Sequence, residues 1–175
     1  MTRPARAVEQ LLLGEWACLG VLADGPSHGF AIASRLRPDA DLGRIWSLSR
    51  PLTYRAIDQL LKHGYAEPIG EERGIAGGTR TVLAITESGR TALREWLNRP
   101  VLHLRDLRSE LLLKLALSAD LAVEPSALID AQRRVVDDIR RSLSGRLRDR
   151  PDDIVSRWRL ESAEGALRFL DSLTT

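Results

Sequence analysis

Residues 42–64 read LGRIWSLSRPLTYRAIDQLLKHG, and the second half of this segment has the pattern of an amphipathic helix. It predicts a helix from about Ser49 to Gly64, because proline is tolerated in a first turn and glycine commonly follows a last turn. Apolar residues at spacings of three and four predict one buried face, formed by Leu52, Ala56, Ile57, Leu60 and Leu61. The opposite face carries Arg50, Tyr54, Arg55, Asp58 and Lys62. Such a face is either a solvated surface or a binding surface.

Two further helices are predicted on the N-terminal side of this segment. The first spans about Val8 to Ala23 and ends at Asp24-Gly25-Pro26. Its buried stripe is predicted to contain Leu12, Trp16, Leu19 and Leu22. Ser27 is expected to cap a short helix from His28 to about Leu36, with an inward face of Phe30, Ile32 and Leu36.

On the C-terminal side the pattern changes to that of a β-hairpin. Tyr65–Ile69 and Thr81–Ile85 are predicted strands, because the second is β-branched and apolar. Residues 70–79 between them contain four glycines and are predicted to form a long loop. Three helices followed by a hairpin is the order of a winged helix-turn-helix domain.

The remainder of the chain is predicted to be helical. Thr86 caps a helix from Glu87 to about Asn98, and Arg99-Pro100 marks the predicted domain boundary, giving domains 1–100 and 101–175. The predicted helices of the second domain are Leu104 to Ser118, Pro125 to about Arg146, and Pro151 to Leu173. The fold class is therefore mainly α, with an N-terminal winged helix-turn-helix domain, a small β-hairpin wing and an all-helical C-terminal domain.

The composition excludes several classes of protein. The 175 residues include 43% hydrophobic and 29% charged residues, values of an ordinary globular chain. A single cysteine, Cys18, rules out an intrachain disulfide and predicts a buried small residue. No apolar run approaches the length of a membrane span, and no leader pattern follows the N-terminus, so we expect a cytoplasmic protein without a membrane partner.

The sequence also offers no catalytic or metal-binding motif. His28, His63 and His103 lack metal-ligand spacing, and no nucleophile elbow or phosphate loop is present. We therefore expect no enzyme, no metal and no cofactor.

Four segments together resemble one family. The first is His28–Ile32, the second is Leu42–Ser49 and Leu52–Ile57 with Leu60 and Gly64, and the others are Ile85–Arg90 and Ser109–Leu117. In order and spacing they are similar to PadR-like transcriptional regulators with the longer C-terminal helical domain. Pro51 stands where that family usually has glycine, and the triplet reads Leu52-Thr53-Tyr54 rather than Thr-Leu-Tyr. The resemblance covers most of residues 10–118. It implies a regulator, expected to be a repressor, that binds double-stranded DNA and responds in some members to a small hydrophobic or aromatic effector.

The residues expected to contact DNA lie on the third helix and the wing. A recognition helix presents its N-terminal residues to base edges, which here are Ser49, Arg50 and Thr53. Arg50 suits a bidentate guanine contact, and the resemblance implies a phosphate contact for the Tyr54 hydroxyl, with packing under the wing as the alternative. Arg55 and Lys62 are expected at phosphates, as are the wing residues Arg73 and Arg80, which could also reach the minor groove.

The second domain is predicted to form a homodimer that binds a pseudo-palindromic operator. Its helices have apolar residues on more than one side, which predicts burial by a partner as well as by the chain itself. The expected dimerisation residues are Leu128, Val135, Ile139, Leu143, Trp158, Leu167 and Leu170. A compact monomeric bundle is the alternative.

Two further interpretations stay open. Trp16 and Trp96 are either core residues or the lining of an effector pocket, whereas Trp46 is expected to pack beneath the third helix. The near-neutral charge and the pair Glu71-Glu72, which repels phosphate, also allow a winged-helix protein-interaction module without DNA binding.

Overall fold

The structure is a computed structural model that describes residues 11–74 and 78–174. It divides into two compact units, one ending at Trp96 and the other beginning at Leu97. The predicted start of the first helix at Val8 and residues 75–77 of the predicted loop lie outside the described residues. Across the described ranges, no helix is long and apolar enough to cross a membrane.

Four helices belong wholly or mainly to the first unit. They are α1 (Leu13–Asp24), α2 (Gly29–Arg35), α3 (Arg50–Lys62) and α4 (Glu87–Asn98). Helix α1 is buried on nearly all sides because its residues are almost all apolar. Leu12 precedes it and is 71% exposed, so its predicted place in the buried stripe was wrong.

One cysteine and two tryptophans are buried in the core of this unit. Cys18 is fully buried, and desolvation raises the pKa of its thiol to about 12, with a smaller contribution from the nearby charge of Glu15. Trp16 and Trp96 are also buried, and their rings stack with centroids 4.9 Å apart and planes 8° from parallel. The two indoles are therefore core residues packed on each other, not the lining of an open pocket.

The sheet differs from the predicted hairpin in two ways. It has three antiparallel strands in the order β1–β3–β2, namely β1 (Ser27–His28), β2 (Ala66–Arg73) and β3 (Thr79–Ile85). The prediction missed β1. It also assigned to a loop several residues that continue the two long strands, in which Glu72 pairs with Arg80. A register shift between Pro68 and Gly70 lets β2 continue past the residues that suggested a break.

The predicted cap of α2 was also wrong. The cap is His28, not Ser27, since His28 Nδ1 accepts a hydrogen bond of 3.0 Å from the backbone N–H of Ala31. His28 at the same time belongs to β1 and pairs with Val82 of β3. The residue therefore joins the sheet to the first helix of the helix-turn-helix motif.

The turn between α2 and α3 is tied together around Arg35. Its guanidinium donates to Asp24 Oδ2 at 3.3 Å, and through Nε at 3.1 Å and Nη2 to Asp41 Oδ2. The hydrogen bond from Arg35 is the main cause that lowers the pKa of Asp41 below its ordinary value of 3.8. The backbone N–H of Gly43 donates to the carbonyl of Arg35 at 3.1 Å, which fixes the same turn.

Asp41→Asn tests this contact through pH. Because the folded-state pKa of Asp41 is lowered, its stabilising contribution is present above the ordinary pKa of 3.8 and is lost as the pH falls through the folded-state value. We expect the variant to lose less than about 1 kcal/mol of unfolding free energy at neutral pH, since the pair is solvent-screened. That difference should vanish in acid. Urea unfolding across pH checks it, with Asp39→Asn, whose partner Arg37 is exposed, as the control. A deficit that persists unchanged in acid would contradict the assignment.

The second unit begins with irregular turns, not with the predicted single helix from Leu104. A 3-10 turn (Leu104–Asp106) and a π turn (Leu107–Leu111) precede α5 (Leu112–Asp120). Two long helices follow, α6 (Ser126–Asp149) and α7 (Ile154–Ser172). Their shared core includes Val101, Leu111, Leu128, Ile129, Val136, Ala163 and Leu170.

Two buried polar side chains fix the segment that leads into this unit. Gln132 accepts from the backbone N–H of Val101 at 2.7 Å and donates to its carbonyl at 2.8 Å. Lys114 Nζ donates to the carbonyl of Arg99 at 2.6 Å and pairs with Glu110 at 2.8 Å. Burial lowers the pKa of Lys114, although the hydrogen bond to Glu110 opposes that shift.

The residues predicted for dimerisation separate into three groups. Leu128, Leu143 and Leu170 are buried in the chain itself, so they are not available to a second subunit in this conformation. Val135, Ile139 and Leu167 are half-buried, whereas Trp158 is 73% exposed. The apolar pattern therefore did not separate the positions that the chain itself covers from those, such as Trp158, that it leaves open.

Candidate nucleic-acid interface

Helix α3 presents its predicted polar face to solvent. Ser49 is the N-cap residue, is exposed, and does not use its hydroxyl to cap the helix. Arg50, Tyr54, Arg55 and Lys62 are also exposed. Thr53 is not: it is fully buried, and its hydroxyl donates to the Ser49 carbonyl at 3.2 Å. The expected base contact from Thr53 is therefore corrected, because its side chain lies on the core side of the helix.

One side of α3 faces the wing across an open cleft of about 400 Å³. Arg50 and Tyr54 line it from the helix, and Arg80 lines it from β3. Phe30 of α2 lies in the same cleft, with the guanidinium carbon of Arg50 4.8 Å and that of Arg80 5.0 Å from its ring centroid. The structure thus brings together three of the predicted DNA-contacting residues around an aromatic ring.

The sequence left two roles open for Tyr54, packing and a polar contact, and its side chain is both packed and partly exposed. Its ring packs on Gly29, where an added Cβ would lie 2.7 Å from the tyrosine Cε1. The side chain is nevertheless 44% exposed. The ring therefore has a packing role at the start of α2, while nearly half of the side chain stays accessible to solvent.

The far side of the cleft holds a small polar cluster around His28. Its Nε2 lies 2.9 Å from Glu72 Oε1 and 3.3 Å from Arg80 Nη1. Because Nδ1 accepts the N–H of Ala31, the proton of a neutral His28 lies on Nε2 and faces the Glu72 carboxylate. Glu72 thus has a partner in His28 of β1, and it lies opposite Arg80 on the neighbouring strand.

The other side of α3 is apolar and includes one predicted contact residue. Arg55 lines a groove of about 570 Å³ with Leu52, Leu48 and Trp46. Trp46 is 38% exposed there, so it lies beside α3 and is not fully covered by it. Lys62 lies in the last turn of α3, and Arg73 is the last residue of β2, opposite Thr79.

Sequence reasoning missed Phe30, which it placed in the core of α2. The residue is 43% exposed, whereas Ile32 and Leu36 are fully buried. A signal was present: at about 100° per residue, Phe30 lies roughly 200° around the helix from Ile32. The buried positions of this short helix therefore exclude Phe30 from the same face.

The described part of the first unit has the architecture of a winged helix-turn-helix domain. Helices α2 and α3 form the helix-turn-helix pair, and β2 and β3 form the wing. Within the described residues, no group of three or more His, Cys, Asp or Glu side chains could hold a metal ion.

Comparisons with known proteins add the following findings. No protein-family model and no curated protein sequence matches the chain. Among solved structures, Bacillus subtilis PadR in complex with operator DNA is 20% identical with a TM-score of 0.47, covering 92% of this chain and 97% of that one. A second Bacillus subtilis PadR structure is 22% identical with a TM-score of 0.41, covering 95% and 96% respectively. The protein smu.1604c from Streptococcus mutans UA159 is 19% identical with a TM-score of 0.44, covering 92% and 98%.

Proposed function

We propose that this chain is a DNA-binding transcriptional regulator of the PadR-like type. The observation that carries the proposal is the cleft that Arg50, from the exposed N-terminal half of α3, and Arg80, from the wing, line together. A recognition helix reads the major groove with its first turns, and a wing beside it reaches the adjacent backbone. Basic side chains on both elements suit a duplex that passes over the cleft.

The polar residues of α3 and the wing have proposed roles of two kinds, contacts with bases and contacts with the DNA backbone. Arg50 reads a base edge, because its planar guanidinium matches the acceptors of guanine. Ser49 also lies at base edges. The Tyr54 hydroxyl binds a nearby phosphate, and so do Arg55 and Lys62 further along α3. On the wing, Arg73 and Arg80 contact the backbone or the adjacent minor groove.

A homodimer is the proposed assembly, and the open face of α7 supports it. Ile154, Val155 and Trp158 are 78%, 63% and 73% exposed. At helical spacing they continue into Ser162, Gly165, Phe169 and Leu173, which makes one stripe opposite the buried Ser156, Ala163 and Leu170. We propose that a second copy covers this stripe, with its two-fold axis matched by a pseudo-palindromic operator.

Charge placed in this stripe should dissociate the dimer. Val155→Glu with Trp158→Glu removes two large apolar side chains and puts like charges at the interface, so we expect at least a 100-fold rise in the dimer dissociation constant. Sedimentation equilibrium measures it. Arg134→Glu is the control, since it reverses the charge of an exposed residue of α6, outside the stripe. Monomeric wild-type protein, or a double variant as dimeric as wild type, would contradict the assignment.

We propose repression as the mode of control and a small hydrophobic or aromatic molecule as the releasing effector. Such a molecule acts by favouring a conformation in which the two recognition helices are wrongly spaced, which requires different affinities for the two states. Trp16 and Trp96, the candidates for its pocket from sequence, are stacked in the core, so no residue is assigned to effector binding.

One observation favours a second candidate function. Glu67 and Glu71 are exposed on β2, where they repel a phosphate backbone. If the duplex cannot approach that strand, the same surface suits a protein partner, and the domain is an interaction module without DNA binding.

Selection from random duplex DNA distinguishes the two functions. The full chain is used to enrich duplexes, and the enriched sequence is compared with a scrambled one by fluorescence anisotropy. The regulator predicts an enriched sequence with two similar half-sites, bound at least 100-fold more tightly than the scrambled duplex by two chains. No enrichment would favour the interaction module.

A further inference from the structure

Phe30 is an exposed aromatic residue placed between two cations from different elements. It belongs to α2, whereas Arg50 begins α3 and Arg80 lies in β3. Both guanidinium carbons lie within 5.0 Å of the ring centroid, the range in which the negative face of an aromatic ring attracts a cation. Phe30 is 43% exposed, so part of its ring stays open to solvent while it contacts both arginines.

The ring offsets the repulsion between two like charges in one cleft. Arg80 Nη1 also lies 3.3 Å from His28 Nε2, the ring nitrogen that contacts Glu72. Arg50 has no ion pair among the described residues, so the ring is the group that restrains its guanidinium. Without the ring, the Arg50 side chain would sample more rotamers, and ordering it on a ligand would cost more free energy.

We propose that Phe30 is a positioning residue for DNA binding, which holds Arg50 and Arg80 in one arrangement so that a duplex meets both at once. The inference rests on the proposed function. It means that Arg50, which reads a base, and Arg80, which binds the backbone, act as a coupled pair. The ligand of that unit is a double-stranded DNA segment whose groove edge and adjacent phosphate reach the cleft together.

A double-mutant cycle on the full chain tests this coupling. Affinity for the enriched duplex is measured for Phe30→Leu, for Phe30→Tyr, for the pair Arg50→Ala with Arg80→Ala, and for that pair combined with Phe30→Leu. We expect Phe30→Leu to weaken binding by about 3- to 10-fold and Phe30→Tyr, which keeps the ring, to bind like wild type. In the background without the two arginines, Phe30→Leu should change affinity by less than about 1.5-fold. Thermal unfolding of each variant separates these effects from a loss of folded protein.

A second readout examines the contact without DNA. The side-chain Nε–Hε resonances of Arg50 and Arg80 in the free protein should shift in Phe30→Leu and stay in place in Phe30→Tyr, because the aromatic ring current acts on both groups. Wild-type protein that binds no duplex would overturn the proposed function and this role with it. If wild-type protein binds tightly, either of two results would overturn the positioning role alone. In the first, Phe30→Leu binds as tightly as wild type. In the second, Phe30→Leu weakens binding by the same factor whether or not the two arginines are present.

Discussion

Arg50→Ala combined with Tyr54→Phe is expected to lower the affinity for the specific duplex by about 100-fold. The arginine loses a bidentate base contact of about 1–3 kcal/mol, and the tyrosine loses one hydrogen bond to phosphate of about 0.5–1.5 kcal/mol. Phenylalanine at position 54 keeps the ring that packs on Gly29, so the start of α2 is preserved. Fluorescence anisotropy with the enriched and the scrambled duplex measures the loss.

Two control variants give this experiment its specificity. Arg90→Ala removes an exposed arginine of α4 and should leave the affinity within about 2-fold of wild type. Lys62→Ala should weaken the enriched and the scrambled duplex by similar factors, because a phosphate contact carries no sequence information. A double variant that binds as tightly as wild type would remove Arg50 and Tyr54 from the interface.

Gly43→Ala is expected to cause the largest loss of stability. An added Cβ at Gly43 would lie 1.7 Å from the carbonyl oxygen of Arg37, and backbone in a short turn cannot move away cheaply. Since the N–H of Gly43 also donates to the Arg35 carbonyl, relieving the clash would break the turn before α3. We expect a loss of about 3 kcal/mol or more in the unfolding free energy of the first unit.

Urea unfolding monitored by near-ultraviolet circular dichroism reports on this unit, because the stacked Trp16 and Trp96 belong to it. Gly25→Ala is the matched control: a Cβ added there would have no atom within 4 Å, and the φ of 167° is extended backbone that alanine adopts. That variant should stay within about 0.5 kcal/mol of wild type. Equal stabilities for the two variants would contradict the geometry of the turn.

Local patterns predicted the helices of the first unit because glycine and proline mark their ends and apolar residues fill their buried positions. Ile57 and Leu60 are buried in α3 as the spacing required, but Leu52 and Leu61, predicted for the same buried face, are 47% and 36% exposed. The wing was predicted too short for a physical reason. Pro68 and Gly70 normally interrupt strands, but here the register shift between them accommodates both, and pairing with Thr81 and Val82 extends the strand. Such cross-strand pairing is a tertiary property that a single segment does not display.

The candidate site was predicted in its helix but not in its surroundings. The exposure of Arg50 and Arg55 follows from the face of α3 on which they lie. The contact of His28 with Glu72 and the position of Arg80 over Phe30 depend on the pairing of β1 with β3, which joins residues more than 50 positions apart. In the second unit, spacing identified apolar positions such as Leu128 and Trp158, but only the packing of α6 on α7 distinguishes the covered leucine from the open tryptophan.

The salt dependence of binding to the enriched duplex tests the central claim most directly. Neutralising five or more phosphates with the basic residues of α3 and the wing predicts that log K falls linearly with log salt at a slope of about −4.5 or steeper. The slope should become shallower by about one for each of Lys62→Ala and Arg73→Ala per bound chain. A steep slope that is reduced in this way by the two substitutions supports a regulator that binds the duplex through α3 and the wing. An affinity that does not change with salt would contradict it and favour a protein partner for the same surface.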